Sequence, residues 1–236
     1  MTKIKAKVLR FDHISVDAIF EKENDLISQL QSGNLDQALL LWQSDEPTLV
    51  LPSGNKWQQS EALASKLAST GWKLYSRKTG GAPVPQCEGV INVSYMYVLD
   101  EHTPYSIPNA YTDFCAILSS FFEQFNIKVD THATPGSYCD GDYNLNIEGK
   151  KVVGTAQRVL LKKGGGKIVL AQACILINAD MPTLIKPVNL CYEHHQQTDR
   201  AIADVHTCLY EHSKEKPDIS ELYQRLFTSF VNHRGS

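Results

Sequence analysis

Two side chains able to do group-transfer chemistry stand close together in this chain. Cys139 lies in Pro135-Gly-Ser-Tyr-Cys139-Asp-Gly-Asp-Tyr143, where glycines and aspartates mark a loop, and Lys151 follows twelve residues later. If residues 143–147 and the stretch from Lys151 pair as a hairpin, the start of one strand comes beside the interior of the next. The thiol and the ammonium then need not be far apart. A nearby positive charge favours the thiolate, the nucleophilic form of cysteine. A structural loop cysteine fits the same residues. Lys150 competes with Lys151 for the inward position, and strand alternation lets only one of them point inward.

A second stretch runs Arg77-Lys78-Thr79-Gly80-Gly81-Ala82-Pro83-Val84-Pro85-Gln86, then Gly89-Val-Ile-Asn92-Val-Ser94. Paired glycines allow a backbone to approach a ligand closely, and Arg77 is available for an anionic or carbonyl group. A Gly-Gly turn between strands is the plainer alternative. Gly164-Gly165-Gly166-Lys167 lacks the spacing of a phosphate loop and precedes a strand, so it predicts a hairpin turn. His194 and His195 follow Cys191 by three and four residues, yet no second ligand pair stands at finger spacing, so no metal is expected.

The elements that must position these groups are read from periodicity. Strands are predicted at 5–11, 48–51, 73–76, 90–99, 143–147, 151–161 and 167–177, the last three forming an antiparallel meander. Helices are predicted at 16–31, 61–69 and 110–125, and a short one at 37–42. In the third, Phe114, Ile117, Leu118, Phe121, Phe122 and Phe125 fall at 3/4 spacing. Two C-terminal helices are predicted at 199–212 and 219–230, separated by Pro217. This order of elements gives an α+β fold with a mostly antiparallel, mixed sheet flanked by helices, rather than a doubly wound βαβ alternation.

The 236 residues carry 23 Lys+Arg and 26 Asp+Glu, a formal charge of −3, which argues against a generically basic nucleic-acid partner. With 42% hydrophobic and 21% charged residues the composition is that of a globular protein. The most apolar run, 168–177, is interrupted by Gln172 and falls short of the ~18 residues of a membrane span, so no membrane partner is expected. The N-terminal MTKIKAKVLRFDH has charges throughout and no apolar h-region, which predicts no export signal and a cytoplasmic location. Six cysteines in such a chain are expected as reduced thiols.

Taken in order, Trp42-Gln-Ser-Asp-Glu-Pro47-Thr-Leu-Val-Leu, the Arg77/Gly80-Gly81 loop with Gly89–Ser94, and Gly149-Lys-Lys151-Val-Val-Gly154-Thr155-Ala156-Gln-Arg158 resemble the signature segments of the biotin/lipoate protein ligase and transferase family. The likeness spans about 42–180. It implies a class II aminoacyl-tRNA synthetase/biotin synthetase-like catalytic domain over 1–236, with the C-terminal helices (about 199–233) as an appendage. It makes Lys151 the residue that holds the acyl carbonyl, and Arg77, Gly80, Gly81, Asn92, Gly154, Thr155 and Ala156 the substrate-binding set. Gly136-Ser-Tyr-Cys139-Asp-Gly-Asp-Tyr143 is similar to the S-Y-C-P-G-S-[YF]-D segment of the cysteine-dependent octanoyl/lipoyl amidotransferase branch, with Asp140 in place of proline. In that branch the cysteine carries the acyl group. The loop resembles the ATP-using ligase pattern R-R-x-x-G-G-G-A-V-x-H-D only in Gly80-Gly81, and Pro85-Gln86 stand where the H-D pair would be. No biotin-ligase G-R-G-R-x-G-R-x-W segment is present.

The resemblance therefore implies transfer of an octanoyl or lipoyl group through a Cys139 thioester to a lysine of a lipoyl-domain protein. The expected acceptors are the glycine-cleavage H protein and 2-oxoacid dehydrogenase E2, and acyl carrier protein is a candidate donor. No tightly bound cofactor is expected. The rivals are ATP- and Mg-dependent lipoate ligation through an acyl-adenylate, and non-catalytic binding of lipoyl or acyl groups. Val93 and Val153 are expected to line a slot for the C8 chain, whose burial is worth at most roughly 5–6 kcal/mol at ~0.8 kcal/mol per methylene.

Overall fold

The run Gln-Ala-Leu-Leu-Leu-Trp-Gln-Ser, expected as a short helix, is a central strand in the computed structural model, which describes residues 4–234. This strand, β2 (Gln37–Ser44), is buried along nearly its whole length. A strand covered on both faces carries a continuous apolar run instead of an alternating one, and over so few residues periodicity does not separate it from a buried helical turn.

Strand β1 (Ala6–Ile14) crosses over through α1 (Val16–Gln31) to pair with β2 in parallel. On the far side of β2 the sheet continues antiparallel through β6 (Val90–Leu99), β10 (Lys167–Leu176), β9 (Lys150–Leu161), β8 (Leu145–Ile147) and β7 (Asp130–Thr131). A second sheet sets β3 (Thr48–Leu51) between β4 (Lys73–Ser76) and β5 (Val84–Gln86), with α2 (Glu61–Ala68) linking β3 to its parallel partner β4. The fold is α+β with a mixed sheet, as the element order predicts. The glycine triplet forms the β9–β10 hairpin turn, where Lys162 N–H donates to the Gly166 carbonyl at 3.1 Å.

Strand alternation divides the core. Leu39, Val93, Ala171 and Ala173 face α3 (Ile107–Glu123) and α6 (Ile219–Arg234), whose Leu222, Tyr223, Leu226 and Phe230 join the same apolar cluster. The opposite face, with Ala38, Leu40, Met96 and Leu170, packs on Ile19, Leu26 and Leu30 of α1. Helix α3 begins three residues before its predicted start because Ser106 caps it, accepting from the Asn109 N–H, and Pro108 fits the first turn.

Two differences lie after residue 180. Helix α4 (Met181–His194), capped by Asp180 accepting from Thr183 N–H, is absent from the sequence reading because Pro182 and Pro187 mark breaks. The helix predicted at 199–212 is replaced by extended chain, a 3₁₀ turn at Ala203–Val205 and the single-turn α5 (Leu209–His212). The backbone there bonds across to β9 instead: Thr207 N–H donates to the Lys151 carbonyl at 2.9 Å. Among the described residues no helix is long and apolar enough to cross a membrane.

Candidate active site

An apolar slot opens between the two sheets. Its floor is one cross-strand row, Gly154, Cys174, Asn92 and Trp42, followed two residues further along by Ala156, Gln172 and Ser94. Its roof comes from Val50 of β3, Val84 and Gln86 of β5, and Phe20 of α1. The slot is narrow, with about 60 Å³ of free space. Cys139, Lys151 and Tyr138 stand at one end.

Lys151 is fully buried on β9, whereas its neighbour Lys150 is exposed. The Nζ donates to the Tyr138 carbonyl at 2.5 Å and the Cys139 carbonyl at 2.9 Å, and lies 4.3 Å from the Tyr138 ring centre. An ammonium has three N–H donors, so one remains for a ligand. Burial pulls the Lys151 pKa below the usual lysine value, opposed by the neighbouring Cys139 and Cys174 sulfurs and by Asp140. Gly154 makes room for this side chain: a Cβ there would lie 3.1 Å from both Cε and Nζ of Lys151.

Cys139 is half-buried and adopts the left-handed conformation, φ 54°, unusual for a residue with a Cβ. Its carbonyl is held twice, by Lys151 and by Asn144 Nδ2 at 3.1 Å. Thr155 Oγ1 donates to the Tyr143 carbonyl at 2.7 Å and so ties the far end of the same loop to β9. Cys139 also lines a second, more polar cleft, with Lys56, Gly81, Ser137, Asp140 and Arg200 on its walls.

The remaining expected residues separate. Asn92 exchanges amide bonds with Gln86 at 2.9 and 2.7 Å and accepts from Cys174 Sγ at 2.9 Å. Arg77 lines the slot, but its guanidinium folds onto its own loop, donating to the carbonyls of Gly80 at 2.9 Å and Ala82 at 3.2 Å. Burial lowers its pKa. Gly81, at φ 113°, has Arg77 Nη2 3.1 Å from where a Cβ would sit. Gly80 lines neither cavity, and its contact with Arg77 is through its carbonyl. Gly154 and Ala156 form the slot floor, whereas Thr155 and Val93 border it from the intervening row, and the Val93 side chain packs on the α3 face of the sheet. Val153 lies outside the slot; it faces the α3 side of the sheet among Leu145 and Ile175, because it alternates with Gly154 along β9.

Sequence reasoning missed Gln86, Tyr138, Cys174 and His206. His206 stacks on Tyr138, with ring centroids 5.0 Å apart, directly behind Lys151. Only the residue 138 position had a local signal, beside the loop cysteine. All six cysteines are free thiols. Among the described residues no cluster of His, Cys, Asp or Glu is arranged to hold a metal ion; His194 bonds Ser60 Oγ, and His195 bonds the Gln58 and Cys191 carbonyls.

The site thus combines a buried cation at the head of an apolar slot, a thiol beside it, and a mixed sheet that holds both. The family model for the lipoyl protein ligase A/B catalytic domain matches residues 18–231, and the chain belongs to that family. It is similar to the octanoyl-[GcvH]:protein N-octanoyltransferase of Geobacillus kaustophilus, 24% identical over 181 residues, covering 77% of this chain and 62% of the relative. It is likewise similar to the lipoyl-[GcvH]:protein N-lipoyltransferase of Listeria monocytogenes, 28% identical over 176 residues, 72% of this chain and 61% of the relative. The chain thus spans less than two thirds of the length of these curated relatives. Among solved structures, lipoate-protein ligase A bound with ATP superposes with TM-score 0.75 at 14% identity, covering 99% of this chain and 86% of that one. Protein Ta0514 of T. acidophilum with bound lipoic acid gives 0.73 at 13% identity, covering 99% and 87%. At these identities the likeness is one of fold.

Proposed function

We propose that the protein is an acyltransferase that carries an octanoyl or lipoyl group as a thioester on Cys139 and delivers it to a lysine of a lipoyl-domain protein. The observation that carries this reading is the position of Cys139, the side chain shared by the apolar slot and the open polar cleft. An acyl chain can lie in the slot while a second molecule reaches its carbonyl from the cleft.

The chemistry then runs in two steps. The Cys139 thiolate attacks the carbonyl carbon of the donor, the C–S or C–N bond to the carrier breaks, and the carrier leaves as a thiolate or, taking a proton from solvent, as an amine. The acceptor lysine, as a neutral amine, attacks the thioester; the C–S bond breaks, the amide forms, and the amine proton passes to solvent. A thioester acylates an amine without prior activation, so no nucleotide is needed for the second step. The free N–H of Lys151 holds the acyl oxygen as charge develops on it, a contact typically worth about 3–4 kcal/mol in the transition state. Gly154 and Ala156 leave the floor open to the chain, and Asn92 with Gln86 and Cys174 fixes the floor beside the carbonyl. Thr155 braces the thiol loop, and Arg77 fixes the Gly80-Gly81 loop above the cleft.

The two relatives' names specify an octanoyl or lipoyl group on GcvH as donor. The same donor is inferred here, with E2 lipoyl domains as acceptors and acyl carrier protein as a weaker donor. Residues 1–236 act as one catalytic unit in the cytoplasm, with lipoate or octanoate as the transferred group and no resident cofactor.

The test is incubation with octanoylated GcvH and an apo lipoyl domain, without nucleotide. The expected result is transfer, a covalent adduct on Cys139 by intact mass and peptide mapping, and loss of both in Cys139→Ala with an unchanged fold. An absolute need for ATP, with Cys139→Ala fully active, would establish adenylate-dependent ligation instead. Saturable acyl binding with no turnover from any donor would establish a binding protein.

A further inference from the structure

Beside the thiol, on the wall of the polar cleft, stands a carboxylate with no partner of its own. Asp140 follows Cys139 directly in the chain, is exposed, and lines the same cleft. Among the described residues no hydrogen bond or ion pair engages its side chain. Its charge nevertheless bears on the Lys151 ammonium behind the thiol and on the Tyr192 hydroxyl of the cleft wall. The two cations of that wall are engaged elsewhere: Lys56 Nζ lies 4.9 Å above the Trp57 ring centre, and Arg200 Nη1 donates to the carbonyls of Gln197 at 2.6 Å and Asp199 at 2.7 Å. Trp57 and Tyr192, stacked with ring centroids 5.0 Å apart, add an aromatic stretch to the same wall. A long apolar stem ending in a cation suits these surroundings, its methylenes against aromatic carbon and its head drawn to the free carboxylate. Proline, the residue at this position of the similar S-Y-C-P-G-S segment, has no such group to offer.

We infer that Asp140 is a further catalytic residue of the transfer: its carboxylate holds the acceptor lysine's amine beside the Cys139 thioester and takes its proton. The inference rests on the thioester reading above. A lysine reaches the cleft mainly as an ammonium, whose nitrogen has no lone pair with which to attack. Once the neutral amine has added to the thioester carbon, its nitrogen is positively charged and far more acidic than a free ammonium, so a carboxylate can receive the proton. The C–N bond forms, one N–H proton moves to Asp140, and the C–S bond breaks with its electron pair on Cys139 Sγ. Asp140 then passes the proton to solvent. Loss of that proton commits the adduct to the amide, because a neutral nitrogen is no longer a leaving group. The same step run backwards lets Asp140 return a proton to the departing amine of an amide donor.

The test loads Cys139 from p-nitrophenyl octanoate, whose phenolate leaves without needing a proton, and then follows deacylation by two nucleophiles. One is an apo lipoyl domain. The other is hydroxylamine, which is already neutral near pH 7 and needs no carboxylate to hold it. In Asp140→Asn, loading and hydroxylamine cleavage should stay within about twofold of the wild type, while transfer at saturating lipoyl domain falls about 10²-fold. Asp140→Glu should restore most of that transfer. If Asp140→Asn transfers to the lipoyl domain at the wild-type rate, Asp140 is a solvated loop charge and the inference is overturned, with the thioester reading intact. Equal slowing with both nucleophiles would place the effect on the thiol loop and overturn it as well. If Cys139 of the wild type takes an acyl group neither from this ester nor from octanoylated GcvH, the thioester reading itself fails, and the inference with it.

Discussion

His206 should make the fold lose stability as the pH falls below neutral. It is 3% exposed, its Nδ1 donates to the Ile202 carbonyl at 2.8 Å, and its buried Nε2 has no partner among the described residues. Burial, then the positive charge of Lys151, push its pKa down to about 4 from the ordinary histidine value of 6.5. Below that upper value the unfolded chain takes up a proton that the folded chain refuses, so stability present at pH 7 drains away until the pH reaches the folded pKa. A depression of that size corresponds to about 3 kcal/mol in full, of which about 2 kcal/mol is lost by pH 5. The substitution His206→Gln keeps an amide able to donate to Ile202 and removes the titration. In urea unfolding at pH 7 and pH 5, the wild type should lose about 2 kcal/mol more than the variant. Equal losses in the two proteins would show that the ring is protonated in the folded state, and the burial argument would be wrong.

Other outcomes follow from the same geometry. Lys151→Met should cut acyl transfer by about 10²–10³-fold, with free octanoate binding changed only a few-fold, since the lost donor acts on the developing oxyanion. Gly154→Ala places a methyl 3.1 Å from Cε and Nζ of Lys151 and should lower kcat at least about tenfold with little change in KM, measured by single-turnover transfer. Thr155→Val removes the bond to the Tyr143 carbonyl and should cost about 1 kcal/mol in urea unfolding, leaving that carbonyl only the weak donor Cys115 Sγ at 3.7 Å.

What the sequence discloses about this site is what lies on contiguous chain. The hairpin turn at Glu148-Gly149 brings the cysteine loop back over β9, so Cys139, Lys151, Gly154, Thr155 and Ala156 share one neighbourhood by local geometry alone. Residues contributed by distant elements carry no such signal. Cys174 comes from β10, Glu23 from α1 and His206 from the chain after α4; Cys174 reaches the slot, and Glu23 and His206 the residues that line it, only because the sheet order sets β6, β10 and β9 side by side. Some local signals also point the wrong way. The prolines that make 181–194 look broken sit in the first turn and at Pro187 of a real helix, and tertiary packing against α2 and β5 overrides the propensity. Gly80 and Gly81 are alike in sequence, yet only Gly81 has a positive φ and reaches the cleft wall.

Lys151 joins the rigid and the strained halves of the site. A cysteine at φ 54° costs of order 1–3 kcal/mol and persists only when its surroundings over-determine it. The surroundings here are Lys151 and Asn144 on its carbonyl, with Thr155 on the carbonyl of Tyr143 at the end of the loop. The lysine therefore shapes the thiol loop and, in the proposed reaction, offers its remaining N–H to the acyl oxygen. This double duty accounts for its full burial on a strand beside a glycine, since only a side chain drawn flat across β9 can reach both carbonyls. It also sets lysine apart from arginine: three donors fan from the single Nζ atom, so two carbonyls and a ligand can share one point charge, whereas a guanidinium spreads its five donors over a rigid plane.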